Sequence, residues 1–171
     1  MSRDADDTLK LVNRAIAKGI GNTISKKNMA KYGNSLADDI KKRTRLGKGV
    51  KENFGKTHKL KPLTSNDYVE QRYDDKEAGR LSPYTSPERS NLTRTGQLLD
   101  SIRSKVISDN KFEIYVKDSR RDGVKNSDII DGQEDQGRFF LYASNLEYKR
   151  IRDQFRKDIQ ENMLKEIKKI R

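Results

Sequence analysis

The sequence predicts an α+β fold: a small antiparallel sheet packed by a long C-terminal helix and an N-terminal helix, with long extended loops. Two patterns predict this class. Apolar residues alternate with polar ones through Phe112, Ile114 and Val116, as in a half-buried strand. Beyond Ile151, apolar residues recur at helical spacing for about five turns. Since 32% of the 171 residues are hydrophobic and 37% are charged, we expect a single domain, residues 1–171, with a modest core.

The N-terminal extension, residues 1–24, is predicted to carry the first helix. Within residues 5–20, apolar side chains fall at helical spacing: Leu9, Val12, Ile16 and Ile20. The aspartates that precede them suit the positive end of a helix dipole. We expect Gly19 and Gly21 to end or loosen this helix.

A second helix is predicted over residues 25–46. Its narrow apolar stripe consists of Met29, Gly33, Leu36 and Ile40. Ser25 is a suitable N-cap, because its side chain can accept a hydrogen bond from the first turn. Gly47 and Gly49 are expected to stop the helix.

Residues 47–91 form an insert that we predict to be mostly loop. The insert holds all three prolines of the chain and shows no sustained periodicity. A short helix is expected at residues 65–73, capped by Thr64 or Ser65. Because so long a structureless segment is unusual in a compact domain, we interpret the insert as an arm, either mobile or ordered against a partner.

Residues 101–107 and 111–117 are predicted to be two antiparallel strands, joined by a turn at Asp109–Asn110. A second polar loop is expected over residues 118–137, with a short strand at residues 129–130.

Residues 144–171 carry the clearest helix pattern in the chain. Ser144 and Glu147 have the spacing of a capping box. An apolar stripe follows: Ile151, Phe155, Ile159, Met163, Ile167 and Ile170. A helix of about 28 residues spans about 40 Å, which is more than so small a core should cover. We therefore hypothesise that its distal end packs on a neighbouring subunit.

Residue types that carry catalysis or bind metals are scarce. The chain has no cysteine, which excludes disulfides, thiolate metal sites and a cysteine nucleophile. The single histidine, His58, lies in a basic loop without a second ligand at metal-binding spacing, and we interpret it as a solvated loop residue. Neither a nucleophile elbow nor a phosphate-binding glycine motif is present. We predict that the protein is not an enzyme and needs no cofactor or metal.

The net charge of +12 is concentrated in one stretch. Residues 41–61 hold nine basic side chains and one acidic side chain, a net of +8. The basic members are Lys41, Lys42, Arg43, Arg45, Lys48, Lys51, Lys56, Lys59 and Lys61. Three interpretations stay open: contact with phosphates by counterion release, docking of an acidic protein, or a solvated loop. Phe54 is the only aromatic among them, which argues against base stacking.

The run Thr-Gly-Gln-Leu-Leu-Asp-Ser-Ile at residues 95–102 is the most specific feature of the sequence. Gly96 permits a sharp turn that other residues would resist. Leu98 and Ile102 have i, i+4 spacing, so we predict one helical turn that leads into a strand. Both side chains are expected to lie in the core.

This run resembles the Thr-Gly-x-Leu-x-x-Ser-Ile motif of tail-completion and neck proteins of tailed phages, including the virion-morphogenesis proteins of the phage Mu type. The order of helix, polar insert, motif, strand hairpin, Arg-x-Phe-Leu and final helix is also similar. The residues that carry the resemblance are Thr95, Gly96, Leu98, Ser101, Ile102, Arg138, Phe140 and Leu141.

The resemblance implies a structural virion protein that assembles in the host cytoplasm and forms a homo-oligomeric ring, six- or twelvefold, at the head–tail junction. The ring would join the DNA-filled capsid connector to the tail. Its implied partners are portal or adaptor connector proteins and tail terminator or tail tube proteins, with non-specific DNA in the lumen. The loops 47–91 and 118–137 would grip neighbouring subunits, and the basic stretch would line the lumen.

Two other functions stay open. The first is a small basic nucleic-acid-binding protein with residues 41–61 as its main contact, and the second is a tail-tube terminator. No membrane partner is expected, because no window approaches the roughly 18 consecutive apolar residues of a membrane span.

Overall fold

The computed structural model describes residues 5–63, 65–83, 86–87, 96–118 and 123–170. Across these residues it is an α+β fold of six helices and two antiparallel two-stranded sheets, so the predicted class is confirmed. The elements are α1 (Ala5–Thr23), α2 (Lys26–Arg45), β1 (Lys48–Val50), β2 (Thr57–Lys59), α3 (Asn66–Glu77), α4 (Gln97–Asp100), β3 (Ile102–Ser108), β4 (Lys111–Val116), α5 (Asn126–Asp135) and α6 (Asn145–Lys168).

Helix α2 lies at the centre of the molecule and packs on the β3–β4 hairpin. Gly33 makes the approach close, because a Cβ at this position would lie 2.8 Å from the Cβ of Ser104. The core cluster consists of Ala37, Ile40, Leu60, Leu98, Leu99, Ile102, Ile130 and Phe140. Burial of these side chains supplies the main favourable free energy of folding.

Three helices begin at serines, as the capping patterns predict. The Ser25 hydroxyl accepts a hydrogen bond from the Asn28 N–H at 3.4 Å, and Ser65 caps α3 in the same way. In α6, the Ser144 N–H donates to Glu147 Oε2 at 2.6 Å, and the Glu147 N–H donates back to the Ser144 hydroxyl at 3.2 Å. The predicted capping box is therefore confirmed. The alternative cap Thr64 lies outside the described residues.

The run at residues 96–102 has the predicted geometry. Gly96 has a φ of 79°, in the left-handed region that favours glycine. Helix α4 supplies a single turn, and β3 begins directly after it at the fully buried Ile102. The Ser101 hydroxyl closes the turn by donating to the Leu98 carbonyl oxygen at 2.6 Å. Thr95 lies outside the described residues.

The predicted hairpin is confirmed, with Ile102 paired to Val116 at its base and Val106 paired to Phe112 towards its tip. The turn falls at Asp109–Asn110, also as predicted.

Helix α1 differs from the prediction, because it continues through Gly19 and Gly21 to Thr23. It runs antiparallel to α6, which is its main partner. A Cβ at residue 19 would lie 2.6 Å from Cα of Met163. Gly19 is therefore a contact residue that lets two helices approach closely, not a helix stop.

Residues 126–135 form helix α5, which corrects the predicted loop with a strand at residues 129–130. The helix start is stabilised from a distance, since Asp118 Oδ1 accepts the Ser127 N–H at 2.8 Å. The Asn126 side chain also donates to the Lys117 carbonyl oxygen at 2.7 Å. In each of these contacts the partner lies nine residues earlier in the chain. The sequence next to the start of α5 therefore contains no N-cap pattern from which the helix could be predicted.

The first part of the insert, residues 47–63, folds onto the body of the molecule. Strands β1 and β2 pair here, although no strand is predicted in this lysine-rich stretch. Val50 is fully buried, and Leu60 belongs to the core cluster. The predicted short helix of the insert is present as α3 and is longer than expected.

Candidate functional surfaces

The β1–β2 hairpin, residues 48–59, is fixed to the segment that precedes α6. The Val50 N–H donates to the Phe139 carbonyl oxygen at 3.0 Å, and the Phe54 N–H donates to that of Ala143 at 2.7 Å. In return, the Asn145 N–H donates to the Gly55 carbonyl oxygen at 3.0 Å. Side chains on this hairpin are therefore displayed from a backbone held at several points.

Gly49 allows this attachment. A Cβ at this position would lie 2.0 Å from the Phe139 carbonyl oxygen and 2.7 Å from a methyl carbon of Leu60. The glycine therefore serves close packing of two chain segments. From the sequence, both Gly47 and Gly49 are expected to stop α2. Gly47, with a φ of 71°, fills this role, whereas Gly49 lies in β1.

Arg43 does not belong to the basic surface, although it lies in the basic stretch. Its buried guanidinium donates to Glu147 Oε2 at 2.6 Å, to the Tyr142 carbonyl oxygen at 2.9 Å and to that of Phe140. Burial lowers the pKa of Arg43, while the charges of Glu147 and Asp39 act in the opposite direction. The side chain joins the end of α2 to the start of α6 and is not accessible to a phosphate.

Two other members of the stretch are neutralised within the chain. Lys41 lies 3.6 Å from Asp38, and Arg45 lies 3.0 Å from Asp100. The remaining lysines are exposed: Lys42, Lys48, Lys51, Lys56, Lys59 and Lys61. We call these six residues the basic surface.

Two lysines of the basic surface repel each other. Lys48 and Lys59 are directly opposite each other in the β1–β2 register. Like charges in opposed positions destabilise a sheet. Among the described residues, neither lysine has an ion-pair partner within 4.0 Å, so an external anion would relieve the repulsion.

His58 precedes Lys59 in β2, is paired with Gly49 of β1 and is half-buried. Burial lowers the pKa of His58, and the charges of Lys51 and Arg43 lower it further. The imidazole is therefore neutral at pH 7 and adds no charge to the basic surface.

A second surface is an apolar groove of about 710 Å³, which the sequence interpretation did not identify. Helix α2 forms its floor, and β4 and α6 form its two walls. The apolar residues that line it include Met29, Leu36, Phe112, Ile114, Ile151 and Phe155. We call this feature the apolar groove.

Two exposed aromatic residues lie at one end of the apolar groove. Phe54 is 55% exposed and Tyr148 is 46% exposed, and their ring centroids are 4.4 Å apart. Phe54 has a φ of 64°, a conformation that a bulky residue adopts at a cost of about 1–3 kcal/mol. Aromatic side chains are enriched at protein interfaces, and strained backbone conformations cluster at functional sites. No sequence signal could join these residues, because they are far apart in the chain.

The rim of the apolar groove is mainly acidic. Glu113 and Glu134 contribute carboxylates to it, and Arg152 contributes a guanidinium. Burial raises the pKa of Glu134, and the neighbouring charges of Asp131 and Asp135 raise it further. Three acidic side chains, Asp131, Glu134 and Asp135, therefore lie close together at this side of the groove.

Most of the described residues that carry the phage-family resemblance take internal positions. Leu98, Ile102 and Phe140 lie in the core cluster. Arg138 is buried and donates to the Lys61 carbonyl oxygen at 3.2 Å and to Gln133 Oε1 at 2.9 Å. Leu141 is half-buried and lines the apolar groove. These residues hold segments together and are not displayed as a binding motif.

No protein-family model, curated protein or solved structure matches this chain. Over the part of the chain that the structure describes, no helix has the length and apolar character needed to cross a membrane. In the same residues, no group of three His, Cys, Asp or Glu side chains is arranged to hold a metal ion.

Proposed function

We propose that this protein is a structural virion protein that forms a homo-oligomeric ring at the head–tail junction of a tailed phage. The observation that carries the proposal is the presence of two chemically different exposed surfaces on one small domain. The basic surface suits DNA, and the apolar groove suits a protein neighbour. A ring subunit around DNA needs both kinds of surface.

The basic surface supports a role in the ring lumen. Its lysines are suited to phosphate contacts, which position DNA without reading its sequence. A lumen through which a whole genome passes requires this kind of contact. In a ring of six or twelve copies, many weak contacts act together, so each can stay weak and reversible.

The apolar groove supports contact with protein neighbours: a second copy, a portal or adaptor connector protein, or a tail terminator or tail tube protein. Interfaces of this type combine a buried apolar centre with a polar rim. The groove has an apolar floor and walls, exposed aromatic residues at one end, and charged residues at its rim.

Electron microscopy of particles from a phage that lacks this gene tests the proposal. We expect filled heads and finished tails lying apart, with joining restored by the wild-type gene supplied in trans. Intact infectious particles would contradict the head–tail role. Overlong tails would instead assign the protein as a tail-tube terminator.

The second candidate is a small basic nucleic-acid-binding protein, which the exposed lysines of the basic surface favour. A salt titration of duplex DNA binding by the isolated chain separates the two. Tight binding with a steep salt dependence would favour this candidate. Weak binding by the single subunit would favour the ring proposal, in which many weak contacts with DNA act together.

A further inference from the structure

Helix α1 and the distal part of α6 pack on each other as a helix pair, which we call the stalk (residues 5–23 and 158–168). Its helices pack through small residues of α1, namely Ala15, Gly19 and Thr23. Among the described residues, the core cluster includes no side chain of the stalk. Two helices that pack only on each other leave part of each apolar face exposed to solvent.

Large apolar side chains of the stalk are therefore exposed to solvent. Leu164 of α6 is 56% exposed and Leu9 of α1 is 59% exposed. Ile167 is half-buried one turn from Leu164. Lys165 and Lys168 are exposed beside them, and no carboxylate of the described residues pairs with either. The end of α6 therefore combines an apolar centre with two exposed lysines. The acidic side chains of this segment are paired within the chain, Glu161 with Lys157 and Glu166 with Lys18 and Lys169.

The apolar groove has the complementary character, with an apolar interior and the carboxylates of Glu113 and Glu134 at its rim. The stalk cannot fill the groove of its own chain. Helix α6 is continuous for 24 residues, or about 36 Å, and its first half is one wall of the groove. The second half of the same continuous helix leads away from that wall.

We propose that the α6 end of the stalk, centred on Leu164, docks in the apolar groove of a second copy of this chain. The inference rests on the proposed ring function and names the contact that builds the ring. Because the two surfaces differ, the contact is heterologous, and each copy both gives a stalk and receives one. Such a contact closes into a ring when its rotation divides a full turn.

The contact is tested with one variant of each surface. Leu164→Asp places a charge at the centre of the stalk surface, and Glu113→Lys/Glu134→Lys reverses the rim of the groove. The control for the first is Leu146→Asp, because Leu146 is 68% exposed on the same helix and does not line the groove. All these positions are at least partly exposed, so the variants should fold, which circular dichroism and thermal unfolding check.

Mass photometry and light scattering then report the assembly state. We expect the wild type and Leu146→Asp to form closed oligomers, and each surface variant to self-associate at least about tenfold more weakly. Mixed together, the two variants should form one-to-one dimers that do not grow. Each still has one intact surface, so only a single contact can form. A wild type that stays monomeric, surface variants that assemble normally, or a mixture that remains monomeric would each overturn the inference.

Failure of this contact can be told apart from failure of the proposed function. If the phage lacking the gene has unjoined heads and tails and Leu164→Asp rescues it like the wild type, the function stands and the docking inference fails. If oligomers depend on both surfaces but that phage assembles normally, the contact stands and the head–tail role fails.

Discussion

Arg43 shows at the scale of one residue that a basic run does not have a single role. Its neighbours in sequence, Lys42 and Arg45, are exposed or half-exposed, whereas Arg43 is buried against Glu147. The position on the last turn of α2 decides this, because it directs the side chain towards the segment before α6. Charge counting along the sequence could not separate these cases.

Replacing Arg43 with Ala should lower the free energy of unfolding by about 3–5 kcal/mol, because Glu147 would remain buried without its partner. Urea unfolding followed by circular dichroism measures the change. Lys42→Ala is the matched control, with an expected effect within about 0.5 kcal/mol. Equal effects of the two substitutions would contradict the buried role of Arg43.

Asp158 is a second residue whose environment is made by tertiary contacts. Its carboxylate accepts hydrogen bonds from the Tyr32 hydroxyl at 2.7 Å, from Gln154 Nε2 at 2.7 Å and from Lys31 Nζ at 3.1 Å. Burial acts to raise the pKa of Asp158, but the hydrogen bonds outweigh it and hold the pKa below 3.8. Burial and the Asp158 contact raise the pKa of Tyr32.

A lowered folded-state pKa means that Asp158 stabilises the fold above its unfolded-state pKa, near 3.8, and that this stabilisation is lost as the pH falls through the lower folded-state value. Asp158→Asn should therefore cost about 1–3 kcal/mol near neutral pH, and its difference from wild type should shrink in acid. Urea unfolding at about pH 7 and about pH 2.5 tests both points. Asp153→Asn, an exposed position on the same helix, is the control, and a pH-independent difference for Asp158→Asn would count against the assignment.

At the scale of elements, the pairing of α1 with α6 gives two nearby glycines opposite roles. Gly19→Ala should destabilise by about 1–3 kcal/mol, because its Cβ would meet the Met163 backbone. Gly21→Ala should stabilise by about 0.5–1 kcal/mol, because no atom lies within 4 Å of its added Cβ and alanine favours helix. Thermal unfolding of the two variants measures both. If they shift the unfolding temperature in the same direction, the close α1–α6 approach is wrong.

Elements with local signals could be predicted, and elements without them could not. Helices α2 and α6 carry both a stripe and a serine cap, and the β3–β4 hairpin carries alternation and a turn. Helix α5 lacks a cap of its own and depends on Asp118, so its Ile129–Ile130 pair was interpreted as a strand. The β1–β2 hairpin depends on hydrogen bonds to residues 139–145, which lie far along the chain.

For the whole molecule, the charge distribution predicts where DNA contacts fall. Substituting four lysines of the basic surface, namely Lys48, Lys51, Lys56 and Lys59, with Gln should reduce the slope of log K against log salt by up to about 4. Duplex DNA binding at several salt concentrations measures the slope. Stability should rise slightly, because the Lys48–Lys59 repulsion disappears.

A control variant with the same change in net charge separates the effect of where the lysines lie from the effect of the total charge. It substitutes four exposed lysines from other parts of the chain: Lys26, Lys27, Lys105 and Lys149. We expect a much smaller change in slope. Equal slopes for the two quadruple variants would mean that only overall charge matters and that the basic surface has no special role.

The sequence by itself determined the fold class, the caps and bounds of α2 and α6, the β3–β4 hairpin and the turn at Gly96. These features depend on interactions within a few residues, which periodicity and capping report directly. The tertiary structure alone decided that Arg43 is internal, that Gly19 is a helix contact, and that α2, β4 and α6 enclose an apolar groove. Each of these depends on which distant segments meet, and side chains far apart in the chain leave no local pattern before folding brings them together.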